Sequence, residues 1–407
     1  MSTTPRTNVS KPSRDLINTF RTDMFGRTKI SEPFTIFDSQ HRYQENQDYS
    51  NTFAVGGSTS YNASASLVNM DVTADSGSEV TRETFRIFPY QPGKSLQVMQ
   101  TFVFAPPKEN LRQRAGYFTR SNGFFLEQDG TDIYFVRRTS SSGQLQEIKV
   151  PQSEWNTDRL DGSGPSDVVL DLSKAQILFS EYEWLGVGSV RLGFAIDGYF
   201  IVCHQFNHAN YIDTTYMTTA ALPARLEITN TGPTDSASTL KQICTTVISN
   251  GGYFRPTYQS TTIRPAETVS TAFYPLISIR MAAGRTDSVI IPTGIDLSPV
   301  DSGDFEFVLT KNSTLTGGTW IPRGPKNNVE YNITGTSMTV GQILQEGFFS
   351  STNQSTSAVT INDNKNFSYQ LGRTNAATPV SDVITIGVRT LSGAADVISA
   401  LTWEDLL

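Results

Sequence analysis

"EWLGVGSVRLGF", Glu183 to Phe194, places Gly186, Gly188 and Gly193 within a few residues of one another. Two readings compete for it. A phosphate-cradling loop needs a helix immediately after its glycines, so that backbone amides and the helix dipole face the anion. The chain instead continues as "VRLGFAI", in which Val190, Leu192, Phe194 and Ile196 alternate with Arg191, Gly193, Ala195 and Asp197. Period two marks a strand with one buried face. The glycines therefore read as a tight turn between antiparallel strands, and the surrounding chain reads as β.

Working outward, "QILFSEYEWL" (176–185) reads as the strand before the turn, and Asp197-Gly198 leads into "YFIVCHQF" (199–206). Residues 176–206 thus form a three-stranded meander. Asp129-Gly130 predicts a hairpin within "GFFLEQDGTDIYFVRRT" (123–139). Further strands are expected at 84–88, 97–104, 147–150, 167–172, 224–229 and 243–249. The polar runs between them, such as "STSYN" and "LDGSGPSD", read as loops. Helical spacing occurs only near the ends, in "SRDLINTFRTDMF" (13–25) and as one turn in "TWEDLL".

The chain has 407 residues, enough for two domains. Charged residues make up 17% and aromatics 11%, a balance that favours strands. A proline-bearing stretch, 261–275, reads as a linker. The expected organisation is all-β: a basic arm (1–30), a lectin-like jelly-roll sandwich (31–260) and a smaller β-sandwich (276–407). The arm holds Arg6, Lys11, Arg14, Arg21, Arg27 and Lys29 against Asp15 and Asp23. Its surplus of four cations leaves −11 on the remainder of a chain whose net charge is −7. Arg6, Lys11, Arg14 and Arg21 are the candidate contacts to an acidic neighbouring subunit. Nucleic acid is not expected as a partner, because no aromatics interleave the charges. The polar start lacks a signal core, which predicts synthesis in a cytoplasm, and no apolar run is long enough to predict membrane insertion.

Chemistry-bearing constellations are sparse. Cys203 and Cys244 sit in apolar strand text and read as buried thiols. His204 and His208 continue a strand rather than a helix, and His41 stands alone, so no metal or cofactor site is expected. Glu181 and Glu183 lie two apart on the expected strand, with Cβ atoms roughly 6–7 Å apart from strand rise. Their side chains reach the ~5 Å separation of a retaining glycosidase. The arrangement resembles lectin-like β-sandwich glycosidases, in which alternate strand positions carry nucleophile, helper and acid/base. Glu181 matches the first and Glu183 the second, but Leu185 occupies the third, and no proton donor is left for the leaving oxygen. Neither a catalytic set nor an enzyme is expected. Trp155 reads as a core anchor. Tyr211, Tyr216, Tyr253, Phe254 and Tyr258, in loop or edge text, are candidates for a glycan-stacking surface or a subunit interface.

"SEPFTIFDSQHRY" (31–43), "QSEWNTDRLDGSGPS" (152–166), "EWLGVGSVRLGFAIDG" (183–198), "CHQFNHAN" (203–210), "LEITNTG" (226–232) and the tail from "LGRTNAATPVSD" onward resemble uncharacterised virion structural proteins of tailed bacteriophages, notably marine ones. The resemblance implies a non-enzymatic component of a virion, such as a capsid decoration, neck, or tail and fibre protein. Its implied partners are other virion proteins and further copies of itself. A glycan-binding host-adhesion module is the alternative expectation, and a polysaccharide hydrolase the third.

Overall fold

The computed structural model describes residues 32–252, 257–325, 327–351, 357–360 and 369–406. The expected arm and the expected helix at 13–25 lie outside the described residues. Within them the protein is all-β, with one 3-10 turn at Gln152–Glu154 and no α-helix.

The first sandwich uses β1 (Pro33–Ser39), β2 (Tyr49–Ala54), β3 (Ser58–Asn62), β4 (Leu67–Val72), β5 (Glu79–Thr84), β6 (Ser95–Val103), β7 (Leu111–Phe118), β8 (Gly123–Asp129), β9 (Asp132–Thr139), β10 (Gln146–Pro151), β11 (Gln176–Tyr182), β12 (Val190–Ile196), β13 (Tyr199–Phe206), β14 (Ala224–Asn230) and β15 (Ser238–Asn250). One sheet runs β13-β12-β11-β6-β15-β4-β3, with β1 added to β15; the other runs β10-β9-β8-β7-β14-β5-β2. Every pairing is antiparallel, and the two sheets stack as a lectin-like jelly roll. Strand β6, "SLQVMQTFV", shows the cause: Leu96, Val98, Gln100 and Phe102 are buried and their neighbours are not. The facing sheet sends Ala115, Tyr117, Phe124, Leu126, Leu226 and Ile228 into the same core. Trp155 closes one side of it, stacked on Phe135 with ring centroids 4.2 Å apart.

The second sandwich uses β16 (Thr257–Val269), β17 (Tyr274–Met281), β18 (Val289–Pro299), β19 (Asp304–Lys311), β20 (Thr314–Thr316), β21 (Ile321–Pro322), β22 (Val329–Asn332), β23 (Ser337–Thr339), β24 (Gln342–Ser350), β25 (Ser357–Thr360), β26 (Val383–Thr390) and β27 (Ala395–Leu406). Its sheets are β16-β27-β18-β25 and β21-β22-β17-β26-β19-β24, with a β20-β23 ribbon. The two cores touch, since Val289, Ile291 and Leu406 of this sandwich pack into the first core. Gln370 donates from Nε2 to the Ile87 carbonyl (3.0 Å), and Arg373 pairs with Glu83 (3.1 Å).

Five expectations are corrected, the first being the strand at 84–88: β5 ends at Thr84, and beyond it only Phe88 bridges, to Leu222. The supposed linker 261–275 is mostly β16, with β17 beginning at Tyr274. Its prolines do not break the strands, because Pro265 falls inside the ladder irregularity between Arg264 and Glu267, and Pro275 borders another. Bulges are where proline's missing N–H is tolerated. Thr402 to Leu406 of "TWEDLL" are the end of β27 rather than a helical turn, with Trp403 fully buried. Residues 167–172 form no strand, only an isolated bridge between Asp161 and Val169. "STSYN", expected as a loop, is β3.

Candidate functional site

The glycine stretch is a turn. Strands β11 and β12 pair antiparallel, with Tyr182 opposite Val190, and β12 pairs with β13 through the Asp197-Gly198 turn. Asp197 and Gly198 both take positive φ, 52° and 82°, as a two-residue primed hairpin turn requires. The hairpin at Asp129 closes one residue later than expected, on the Asp129–Asp132 pair.

The two expected strand carboxylates fall in different settings. β11 ends at Tyr182, so Glu183 lies in the turn, exposed, with its amide bonded to the Ser189 carbonyl (3.0 Å). Glu181 stays on the outer sheet face, accepting from Ser95 Oγ at 2.8 Å with Arg191 3.7 Å away. Leu185 is exposed in the same turn.

A different set of carboxylates occupies the outer face of the β10-to-β2 sheet. Arg114 Nε meets Glu127 at 2.6 Å and Arg114 Nη1 meets Glu227 at 3.1 Å. Arg225 reaches Glu227 at 2.5 Å and Glu83 at 2.7 Å, and Lys149 reaches Glu127 at 2.6 Å. Phe118 and Phe125, with centroids 4.3 Å apart, sit among these charges under Arg114, Arg138 and Arg225. Burial pushes the Glu227 carboxyl up, but Arg225, Arg114 and Arg138 more than offset this and hold it down at about 2. Burial likewise raises Glu127, and Arg114 and Lys149 bring it below the ordinary carboxylate range. At neutral pH both are ionised and occupied by cations, so neither carries a proton to donate. The network was missed in the sequence; its signal is the run of charged residues at alternate positions in "LRQRAGYF" and "RLEITN".

The three histidines and two cysteines serve the fold. His41 Nε2 donates to Gln242 Oε1 (3.1 Å), while its Nδ1 accepts from the Asn46 amide (3.0 Å). His204 is buried against Phe206, its Nδ1 accepts from the Asn156 amide (3.3 Å), and burial lowers its pKa to about 4. Cys203 and Cys244 are free thiols, the first buried and the second half-buried. Among the described residues no three histidine, cysteine or carboxylate side chains cluster as metal ligands.

A cleft of about 670 Å³ opens at one end of the first sandwich. One wall comes from β9 and β10, with Arg137, Thr139 and Gln146; the other is the loop after β13, with Asn210, Tyr211, Asp213 and Tyr216. Tyr211 is 78% exposed, and its amide is bonded to the His208 carbonyl (2.9 Å) after Asn210 turns the chain at φ 69°. Below it the loop rests on the glycine turn. His208 Nδ1 donates to the Gly188 carbonyl (2.5 Å) and stacks on Tyr216 at 4.0 Å. The Tyr216 amide donates to Gly186 (2.9 Å), and its hydroxyl to the Glu183 carbonyl (2.9 Å). A Cβ at 188 would lie 2.5 Å from that Glu183 carbonyl oxygen, so the turn itself requires glycine there, and a Cβ at 186 would come within 3.1 Å of Thr215 Cγ2 in the loop. Tyr216, expected on a ligand or interface surface, is instead 1% exposed and anchors the loop from the core. Tyr253 and Phe254 lie outside the described residues. Tyr258 is in β16 opposite Asp405, away from this loop in the pairing, and its side chain too is outside the description. Of the five expected aromatics, the cleft brings together Tyr211 and Tyr216.

A smaller cavity of about 400 Å³ lies between the sandwiches, lined by Arg120, Asn122, Asp287 and Asn375. Its floor is Glu83 and Arg225, already committed to ion pairs.

No family model matches the sequence, and no curated protein matches it. Solved structures are loosely similar to about half of the chain. The carbohydrate recognition domain of Emp47p shares 11% identity over 54% of this chain and 98% of its own, with a TM-score of 0.33. The CBM2 module of the evolved Dit of Lactobacillus casei BL23 phage J-1 shares 7% over 56% of this chain and all of its own, also at 0.33. A Bacteroides ovatus GH16 protein from a mixed-linkage glucan locus, solved with its product, shares 8% over 52% and 99%, at 0.34.

Proposed function

We propose that this chain is a non-enzymatic structural protein of a tailed-phage virion, and that its first sandwich binds glycan in the cleft beneath Tyr211. The observation that carries the binding reading is the cleft itself. An exposed tyrosine ring stands over a polar floor, and its loop is held from below by three bonds to the glycine turn. A pyranose needs a flat apolar platform and convergent polar groups for its hydroxyls; Tyr211 supplies the first, and Asn210, Asp213 and Gln146 the second. Support for a non-enzymatic role comes from the carboxylates. Glu181 is held by Ser95 and Arg191, Glu183 is exposed in the turn with Leu185 in place of a third acid, and Glu127 and Glu227 are ionised and salt-bridged, so none of these carboxyls is set up as a proton donor. The virion setting rests on the resemblance of the quoted segments. Within it, residues 1–30 act as an assembly arm, and the partners are other virion proteins and further copies of the chain.

The test is a glycan array probed with the full-length chain and with Tyr211→Ala. Binding is expected for the wild type, with a loss of tenfold or more in the variant at unchanged melting temperature. Equal binding by both proteins would remove the cleft from consideration. Cryo-electron microscopy of purified particles tests the setting; absence of the chain from them defeats it.

A further inference from the structure

Arg137 and Arg112 both hold a shielded Nε without an acceptor, and of the two it is Arg137 that lines the cleft. Its neighbour Arg138 binds Glu147 at 2.6 Å, and Arg114 and Arg225 each hold two carboxylates. The Arg137 side chain forms no hydrogen bond and no ion pair among the described residues, and its Nε is shielded from solvent without an acceptor. The alternation of β9 explains its place. Ile133 and Phe135 point between the sheets, and Arg137 continues that row to the open end, where it reaches the cleft instead of the core. A half-buried guanidinium without an acceptor is unfavourable, because desolvation is not offset by pairing. The same burial lowers its pKa.

The surrounding groups do not neutralise it. His208 is kept neutral by burial, which lowers its pKa, with Arg137 adding to that effect. Tyr216 is a buried phenol whose pKa burial raises, so it carries no charge. Asp213 is the one carboxylate lining the cleft; it is exposed on the far wall and makes no ion pair with Arg137. The cleft therefore has a fixed cation on its inner wall, a ring at its rim and an exposed carboxylate opposite.

We infer that the cleft selects acidic glycans, with the Arg137 guanidinium taking the carboxylate or sulfate of a sugar whose ring lies against Tyr211. This rests on the glycan-binding reading above and names the class of sugar that the same site takes. A guanidinium offers parallel N–H donors from Nε and Nη, the geometry that matches a two-oxygen anion. Asp213 is then free to accept sugar hydroxyls, and it disfavours ligands with a second acidic group at that position.

The experiment is calorimetric titration of the full-length chain with three oligosaccharides of matched length: a galacturonate oligomer, a sulfated galactose oligomer and a neutral galactose oligomer. The expected result is binding of at least one acidic oligomer tenfold or more tighter than the neutral one, weakening as salt is raised. Arg137→Gln should erase that preference, so that the acidic and neutral oligomers bind the variant within about twofold of each other. Arg137→Lys keeps the charge without the planar fork, and should retain part of the preference even if the Gln variant proves unstable. The relative affinities of the uronate and sulfate arms identify which anion is read. Equal affinity for neutral and acidic oligomers, or a preference surviving in both variants, overturns the inference while leaving glycan binding intact. No binding to any of the three, together with a blank glycan array, overturns both.

Discussion

Replacing Glu227 by glutamine removes the charge that Arg114 and Arg225 share. Arg225 holds one carboxylate oxygen through Nε at 2.7 Å and Nη2 at 2.5 Å, and Arg114 holds the other at 3.1 Å. The amide keeps the volume but returns only one acceptor oxygen, turning an NH2 toward a guanidinium. The size of the effect comes from linkage. The carboxyl titrates near 2 in the folded protein and at its ordinary 4.5 when unfolded. That difference corresponds to about 3 kcal/mol. The sign is set by the depressed folded value: the contribution is complete above pH 4.5 and is lost as pH falls towards 2. Removing one partner of a buried pair costs about 3–5 kcal/mol, which agrees. Urea unfolding of wild type and Glu227→Gln at pH 7 should therefore differ by about 3 kcal/mol. The gap should close progressively in titrations below pH 4.5. A difference under about 1 kcal/mol at pH 7, or one that stays constant on acidification, refutes the account of this sheet face as a network held by ionised carboxylates.

Two further outcomes are expected. Gly188→Ala places Cβ 2.5 Å from the Glu183 carbonyl oxygen, a backbone atom with nowhere to go. The melting temperature should fall by several degrees, and glycan affinity should fall with it, because the displaced Gly188 carbonyl releases His208; differential scanning fluorimetry and the array check the two together. His204, buried and titrating at about 4 against 6.5 when unfolded, should make stability fall as pH drops from 6.5 towards 4, by at most about 3 kcal/mol. His204→Gln should flatten the slope of melting temperature against pH in that window, and an unchanged slope would assign the acid sensitivity elsewhere.

Local patterns made the meander legible and left long-range pairings invisible. Val190, Leu192 and Phe194 alternate within a few residues, and Asp197-Gly198 announces its turn, so β11, β12 and β13 were readable. The ion network joins residues 13, 113 and 142 positions apart, and no window of sequence contains it. The cleft has the same origin: Arg137 and Tyr211 meet because β9 and the loop after β13 end at the same side of the sandwich. Tyr211 was visible as loop text, but nothing local separates it from Tyr216, whose partner His208 becomes apparent only once the loop folds back. At the C-terminus "TWEDLL" misled because Asp405 looks solvated. In β27 it is buried, and the Asn328 amide and Nδ2 satisfy it, each at 2.9 Å. Prolines misled in β16 because a bulge is a property of the pairing and not of the residues alone.

The glycine turn that first suggested a ligand loop instead supports the neighbouring loop on which the proposed glycan site is built. Three of its backbone carbonyls, at Glu183, Gly186 and Gly188, accept bonds from His208 and Tyr216. Those acceptors are free because the turn's residues are not in a ladder, and they are reachable because Gly186, whose Cβ would press on Thr215, has no side chain to hold the loop away. The loop is consequently fixed at its base while Tyr211 projects at its tip. Such an arrangement lowers the entropy lost on binding, since the platform is in place before a ligand arrives. It also explains why a protein with few charges tolerates an unpaired arginine there. With the loop anchored by carbonyls rather than by salt bridges, Arg137 is not needed to hold it, and its guanidinium remains available to whatever enters the cleft.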